Sequence, residues 1–284
     1  MKTIELAGTS EEELVETMIG QQIETFYRNV GAEESRKREV ALQVEHLSVG
    51  RKVRDVSFAL YRGEIVGVTG LLWAGQNELA RALFGIGEGV NGIFTRDGRP
   101  VSILSPEQAI KLGICLLTEN RQAEGLFIDM NVRENITLPS LSSFRQAALF
   151  LNSRVEQRVA DEFIKKLNIV VPLARAKIGT LSGGNQQKTI LGRWLLRNLE
   201  ILIFIEPTRG IDIGAKAEIY HYLDRLSREG KCIVVVSPDL LEILGLSDRI
   251  LVMYNGRLTQ TFEERGLTEE SLLAAIQGGN SNGN

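Results

Sequence analysis

The chain is poor in the features that mark several special classes of protein. It has two cysteines and two histidines among 284 residues, so neither a disulfide framework nor a histidine-rich metal centre is expected. Its apolar runs, such as 201–205 and 232–237, are five to six residues long. A membrane-spanning helix needs about 20. The net charge of −3 supplies no overall positive field for nucleic acid, and no nucleic-acid partner is expected.

The remaining composition is that of an ordinary globular protein. Hydrophobic residues make up 43% of the chain and charged residues 24%. Cys115 and Cys232 both lie in apolar runs, which predicts two buried, reduced thiols. The first segment contains EEELVE, whereas a secretory leader would be basic there. We therefore expect a cytosolic protein.

The order of apolar and amphipathic segments predicts an α/β fold. RDVSFALYRGE (54–64) alternates apolar and polar residues, as a half-buried strand does, and IVGVTG (65–70) is a continuous apolar strand. Further along, EILIFIE and KCIVVVS are separated by the amphipathic stretch GAKAEIYHYLDRLSREGK. Strand, helix and strand at this spacing predict a parallel sheet with right-handed crossovers.

Changes in composition suggest three parts of the chain. Residues 1–39 hold a short helical pattern and then the charged stretch AEESRKRE, which is typical of a linker. The main domain is predicted over 40–265, with a more helical region at about 125–180. Residues 266–284 are predicted to form a C-terminal helix and a disordered tail, GGNSNGN.

Residues 70–79, GLLWAGQNEL, have the frame of a phosphate-binding loop. Gly70 and Gly75 stand after a predicted strand and before a predicted helix, so successive backbone N–H groups could point at an anion. Such loops end in lysine and then serine or threonine, which hold phosphate and Mg²⁺. Gln76 and Asn77 stand there instead. Taken alone, the pattern fits a simple strand-to-helix turn equally well.

A second glycine-rich turn favours the nucleotide interpretation. LSGGNQQK (181–188) opens a predicted helix, whose N-terminus attracts anions. About twenty residues later, ILIFIEPTRGID places Glu206 directly after a buried strand. The carboxyl edge of a parallel sheet is where α/β proteins carry their binding groups. The combination makes a chance glycine-rich helix start a poor explanation.

These motifs resemble the nucleotide-binding domain of ATP-binding cassette (ABC) transporters. LSGGNQQK, EPTRGIDIGAKAEIY and SPEQAIKLGICLLTENRQAEGL are similar to the second, C-terminal cassette of ATPase subunits in bacterial simple-sugar importers. The resemblance covers about 40–265, and residues 10–30 resemble the tail of a preceding cassette. It implies a phosphate-loop NTPase fold of the ABC ATPase type. That fold has a parallel core sheet, an antiparallel β subdomain and a helical subdomain.

The resemblance also implies partners. In this family, ATP is held between two cassettes. The glycine loop of one cassette binds it on one side, and the signature turn of the other, LSGGNQQK (181–188) in this chain, faces it on the other. The implied partners are an intact first cassette, in the same longer polypeptide, and membrane permease subunits, contacted through 127–144. The implied location is the inner face of the cell membrane. The signature residues that would face the partner's ATP are Leu181, Ser182, Gly183, Gly184 and Gln186.

At the chain's own ATP site the resemblance is incomplete. Ile205 replaces the aspartate that helps to hold Mg²⁺, Pro238 replaces the switch histidine, and Val49 falls where an aromatic would stack on adenine. Little or no ATP binding, no secure Mg²⁺ site and weak or absent hydrolysis are therefore expected. The nucleotide-binding positions implied are Gly70, Ala74, Gly75, Gln76, Asn77 and Glu78, with Glu206 at the general-base position, Glu119 in the coupling loop and Asp212 in the inter-cassette loop.

Three functions are compatible with these residues. The first is a degenerate second cassette that completes an intact partner's ATP site. The second is a self-sufficient homodimeric ATPase, which would have to work without the loop lysine. The third is a regulatory or scaffold cassette, which would have no physical need for LSGG together with Glu206. The sequence does not identify the transported sugar.

Overall fold

The computed structural model describes residues 39–146, 150–263 and 267–278. The helix and linker predicted within residues 1–39, except Glu39, and the tail beyond Gly278 lie outside these described residues. The strands are β1 (Val40–Val49), β2 (Val53–Tyr61), β3 (Ile65–Gly70), β4 (Val90–Arg96), β5 (Arg99–Val101), β6 (Ile114–Leu117), β7 (Arg145–Gln146), β8 (Phe150–Leu151), β9 (Ile201–Ile205), β10 (Cys232–Val236), β11 (Arg249–Tyr254) and β12 (Arg257–Phe262).

The main sheet has the strand order β12–β11–β3–β10–β9–β6. All neighbouring pairs are parallel except β11 with β12. Val234 at the centre of β10 lies opposite Val66 on one side and Ile203 on the other. Every residue of β3, β6, β9 and β10 is buried, as expected for parallel strands covered on both faces. The predicted parallel core sheet is confirmed.

A second, antiparallel sheet has the order β2–β1–β4–β5 and forms the predicted β subdomain. The helices are α1 (Gln76–Leu83), α2 (Pro106–Lys111), α3 (Val132–Thr137), α4 (Ser153–Lys166), α5 (Gly183–Leu196), α6 (Ile213–Arg228), α7 (Leu240–Leu246) and α8 (Glu269–Ile276).

The region between β6 and α5 contains the 14-residue helix α4 and several shorter helical segments. A π-helical turn, Arg121–Gly125, follows β6, and a 3₁₀ segment, Leu138–Phe144, follows α3. Asn131 and Glu134 form a reciprocal capping box that fixes the start of α3. The short hairpin of β7 and β8 precedes α4. The helical character predicted for this part of the chain is thus present.

The two faces of the main sheet support two hydrophobic cores. Alternate residues of β9 point to opposite sides, so Ile205 packs with Leu79 and Leu83 of α1, whereas Leu202 and Phe204 pack in the other core. Cys115 and Cys232 are free and buried, as predicted, and burial raises the pKa of both thiols. None of the helices among the described residues is both long and apolar enough to span a bilayer.

Candidate functional site

The glycine loop connects β3 to α1, as the sequence predicts. A Cβ at Gly70 would overlap the carbonyl oxygen of Met253, and a Cβ at Gly75 would overlap that of Lys52. Gly75 also has φ of 101°, a conformation that only glycine adopts readily. The tight backbone of a phosphate-binding loop is therefore present, with Ala74 buried beneath it and Asn77 half-buried in the first turn of α1.

The side chains in this loop bond to the protein itself. The Nε2 of Gln76 donates to the carbonyl oxygens of Leu71, at 3.2 Å, and Gly70, at 3.5 Å. The Nζ of Lys52, from the turn between β1 and β2, lies 2.5 Å from Oε1 of Glu78 in the first turn of α1. The positive charge of Lys52 is thus paired with a carboxylate of the protein and is not free to meet an anion at the loop.

At the end of β9, where the family has a metal-binding aspartate, this chain has Ile205. Ile205, the last residue of β9, is fully buried in the core that contains α1. The next residue, Glu206, has φ of 47°, donates its N–H to Val236 and places its carboxylate 3.5 Å from Arg209. Pro238 lies exposed after β10. The side chain of Ile205 has no oxygen, so these residues do not fit a Mg²⁺ ion bound through a carboxylate at this position, as the family implies.

The coupling-loop residue Glu119 pairs with the helix that follows the glycine loop. Arg81 of α1 lies 3.3 Å from Glu119 and 2.9 Å from Glu124. Desolvation opposes the charge on Arg81, but its hydrogen bond to Glu124 and the nearby carboxylates raise its pKa overall. The carboxylate of Glu119 is thus engaged in an ion pair and is not a free ligand. In the part of the chain that is described, no three His, Cys, Asp or Glu residues form a group that could hold a metal ion.

The signature turn has a different character from the glycine loop. Ser182 is exposed and lies at the N-cap of α5, where its hydroxyl makes no capping bond but accepts from Asn185 at 2.9 Å. Gly183 and Gly184 are the first helical residues. The Nε2 of Gln186 donates to Leu181 at 3.2 Å and so holds the entry to the helix. Because the first N–H groups of a helix have no acceptor within it, this turn presents donors and the positive helix end.

The signature turn lies beside the loop that follows β9. A Cβ on Gly184 would come within 2.6 Å of Cβ of Ala215, in the first turn of α6. Asp212 caps α6 by accepting from the N–H of Ala215 at 2.9 Å. Arg121 also joins the two segments through its guanidinium group. Arg121 was not singled out from the sequence, because no local pattern marks it. Within the described residues no hydrogen bond links the signature turn to the glycine loop.

The structure also locates Val49, Trp73 and the apolar residues that precede α3. Val49 is buried in the core between the sheets, so its side chain is not available to stack on a base. Trp73 in the glycine loop is 82% exposed and has φ of 71°, so it does not pack under the loop. Phe127, Ile128 and Met130 are all exposed apolar residues in the stretch before α3.

The fold and these two turns define a phosphate-loop α/β nucleotide-binding domain. A family model for ABC transporters matches residues 53–209. The chain belongs to the ABC transporter family. A structure of a nucleotide-free ATP-binding cassette from an ABC transporter superposes with a TM-score of 0.68 at 20% identity, covering 84% of this chain and 96% of that one. A dimeric cassette, MJ0796, gives 0.66 at 22% identity, with 80% and 100% covered.

Closer relatives are named as sugar importers. A "putative ribose/galactose/methyl galactoside import ATP-binding protein 2" from Burkholderia cenocepacia (strain HI2424) is 44% identical over 271 residues, which cover 95% of this chain and 52% of that protein. The "ribose import ATP-binding protein RbsA" of Geobacillus kaustophilus (strain HTA426) is 40% identical over 277 residues, with 96% and 54% covered. The chain thus spans about half the length of these relatives.

Proposed function

We propose that this chain is the degenerate second nucleotide-binding cassette of a sugar ABC importer. In this proposal it offers the signature turn around Ser182 and Gly183 to ATP that an intact partner cassette holds. It also couples the ATP cycle to a membrane permease at the inner face of the membrane. The import names of relatives that are 40–44% identical support the sugar-import role.

The observation that carries the proposal is the contrast between the two glycine-rich turns. In the glycine loop, Gln76 bonds to the loop's own carbonyls and Lys52 neutralises Glu78. At the start of α5, Ser182 is exposed on a helix end that favours anions. Phosphoryl transfer depends on positioning and on charge stabilisation. A loop with a neutral Gln76 above a buried Ile205 supplies little of either.

The proposed partners are supported by length and by one apolar surface. The chain covers 52% of its Burkholderia relative, so that protein has room for a second domain of similar size. The exposed side chains of Phe127, Ile128 and Met130 form an apolar stretch in the helical region, which is where the permease contact is proposed. Exposed apolar residues grouped in this way are typical of protein contact sites.

Calorimetric titration of the chain with ATP and with ADP, each with and without Mg²⁺, tests the chain's own ATP site at the glycine loop, called the home site below. An intact ABC cassette measured under the same conditions is the control. We expect no binding tighter than about 1 mM, which corresponds to about −4 kcal/mol. Micromolar binding that depends on Mg²⁺ would show that the home site handles nucleotide despite Gln76 and Ile205, and the proposal would be wrong.

Reconstitution with an intact first cassette tests the signature turn. Ser182→Ala should lower ATP turnover by the pair on the order of tenfold or more, because a donor aimed at the reacting phosphate is lost. The substitution should leave the fold intact, since the hydroxyl does not cap α5. Ser102→Ala, at an exposed serine outside the signature turn and the proposed permease contact, is the matched control. Equal turnover for the two variants would contradict the proposed role of the turn.

A further inference from the structure

Three segments of the chain meet at the start of α5. They are the π-helical turn after β6, the signature turn, and the loop between β9 and α6 that begins with Glu206. Arg121 is the first residue of the π-helical turn, and its side chain bonds to the other two segments. Nη1 donates to the carbonyl oxygen of Arg209 at 2.7 Å, Nη2 to that of Gly210 at 3.2 Å, and Nε to Oε1 of Gln186 at 3.3 Å.

The guanidinium group occupies the space that Gly183 leaves open. A Cβ on Gly183 would lie 2.5 Å from Nη2 of Arg121 and 2.7 Å from the carbonyl oxygen of Gly210. The first glycine of the signature turn therefore provides room for Arg121 as well as backbone donors. A planar group with five donors suits this position, because it can bond in two directions at once.

The guanidinium group of Arg121 hydrogen-bonds to uncharged acceptors. Within the described part of the chain its guanidinium group donates to two carbonyl oxygens and one amide oxygen, and partial burial lowers its pKa. The nearby acids have other partners, since Glu206 faces Arg209 and Asp212 caps α6. Arg121 is half-buried, and a partly desolvated cation is costly unless its hydrogen bonds are made, so its contacts favour one arrangement of these segments.

We infer that Arg121 is a positioning residue for the half-site of this chain, by which we mean the signature turn offered to a partner's nucleotide. Arg121 fixes the position of that turn at Gly183 relative to the loop 206–212. The inference rests on the proposed function, in which the signature turn meets the nucleotide of a partner. Arg121 itself need not touch that nucleotide. It acts through Gln186, Arg209 and Gly210.

Amide hydrogen exchange on the isolated chain tests the positioning directly. The reporters are the N–H groups of Gln186, which bonds to Ser182, and of Ile211, which bonds to Thr208. In Arg121→Ala, both should exchange faster by about tenfold or more while the strands of the main sheet keep their protection. Arg197→Ala is the matched control, because Arg197 also donates to a carbonyl, that of Pro139, but at the other end of α5.

Chemical rescue separates positioning from general destabilisation. Millimolar guanidinium should restore slow exchange at both reporters in Arg121→Ala. Methylammonium should not, since its donors share one nitrogen and cannot take the separate positions of Nε, Nη1 and Nη2. Arg121→Lys provides the same comparison should the alanine variant fail to fold, and it should remain faster than wild type at Ile211. Unchanged exchange at the reporters, or equally faster exchange throughout the chain, would overturn the inference.

Turnover with an intact partner cassette provides the functional test. Arg121→Ala should lower kcat of the pair on the order of 10- to 100-fold, because misplacement of a positioned group acts on the transition state. KM for ATP should change little, since the partner's loop holds the nucleotide. Faster exchange with unchanged kcat would refute the role of Arg121 at the half-site. If wild-type chain fails to support turnover, the proposed function fails, and the exchange experiment still decides whether Arg121 positions the turn.

Discussion

Restoring the missing carboxylate at Ile205 should damage the fold instead of rebuilding a metal site. Ile205 is fully buried at the end of β9, beside Val236 of β10 and in the same core as Leu79 and Leu83 of α1. Ile205→Asp removes apolar contacts worth about 1.5–3 kcal/mol and buries a carboxyl group among aliphatic side chains. We expect a total loss of at least about 4 kcal/mol, a large part of the roughly 5–15 kcal/mol that stabilises most domains.

The pH dependence identifies the cause. Burial raises the pKa of an introduced carboxyl group in the folded state, whereas the unfolded chain keeps a value of about 3.9. The unfolded state therefore releases its proton first, and the destabilisation grows as pH rises above that value until the folded group also ionises. Urea denaturation of Ile205→Asp and the uncharged control Ile205→Asn should give stabilities that diverge between pH 5 and pH 8. Ile205→Val should cost only about 0.5–1.5 kcal/mol.

One outcome would refute this reasoning. If the free energy of unfolding of Ile205→Asp is within about 1 kcal/mol of the wild-type value at pH 8, water or a polar group must reach position 205, contrary to its full burial. If the variant also binds ATP with Mg²⁺, the home site would be one substitution away from function.

Three further results are expected. Gln76→Lys should tighten ADP binding by about 10- to 100-fold in calorimetry, because a charge-assisted bond is worth about 1.5–3 kcal/mol, and no gain relative to Gln76→Met would contradict this. Glu64→Gln should lower the Tm by roughly 6–20 °C, since it removes the charge and one acceptor from a buried two-point pair with Arg249 at 2.9 Å. A shift under about 2 °C would argue against it. Trp73→Gly should raise the free energy of unfolding by up to about 1 kcal/mol in urea denaturation, because residue 73 has a left-handed backbone and its exposed indole contributes little packing. A clear decrease in stability would show that the indole makes stabilising contacts.

The core of the fold was accessible from the sequence because burial leaves a local pattern. The continuous apolar runs at β3, β9 and β10 predicted strands buried on both faces. The amphipathic period between β9 and β10 predicted α6, which begins at Ile213, one residue earlier than expected, because Asp212 caps it. The spacing of the glycines located both glycine-rich turns, since those turns require glycine at fixed positions.

The ion pairs and hydrogen bonds around the two glycine-rich turns could not be predicted from such local patterns. Lys52 and Glu78 are 26 residues apart in the chain, and Arg81 and Glu119 are 38 apart. Arg121 bonds to a carbonyl 88 residues away. A charged residue has many possible partners at such separations, and only the folded backbone selects one. The sequence showed which groups were missing at Gln76 and Ile205, but not which contacts took their place.

The exposed indole of Trp73 gives this protein a built-in optical label at the glycine loop. The chain has two tryptophans, and the other, Trp194, is half-buried with its ring edge-on to Phe84 at 6.4 Å between centroids. In a Trp194→Phe background, emission would come from the loop alone, from a ring that water surrounds on most sides. Any molecule that covers the loop, whether nucleotide or protein, would shift that emission to shorter wavelength and shield it from soluble quenchers, with no dye attached.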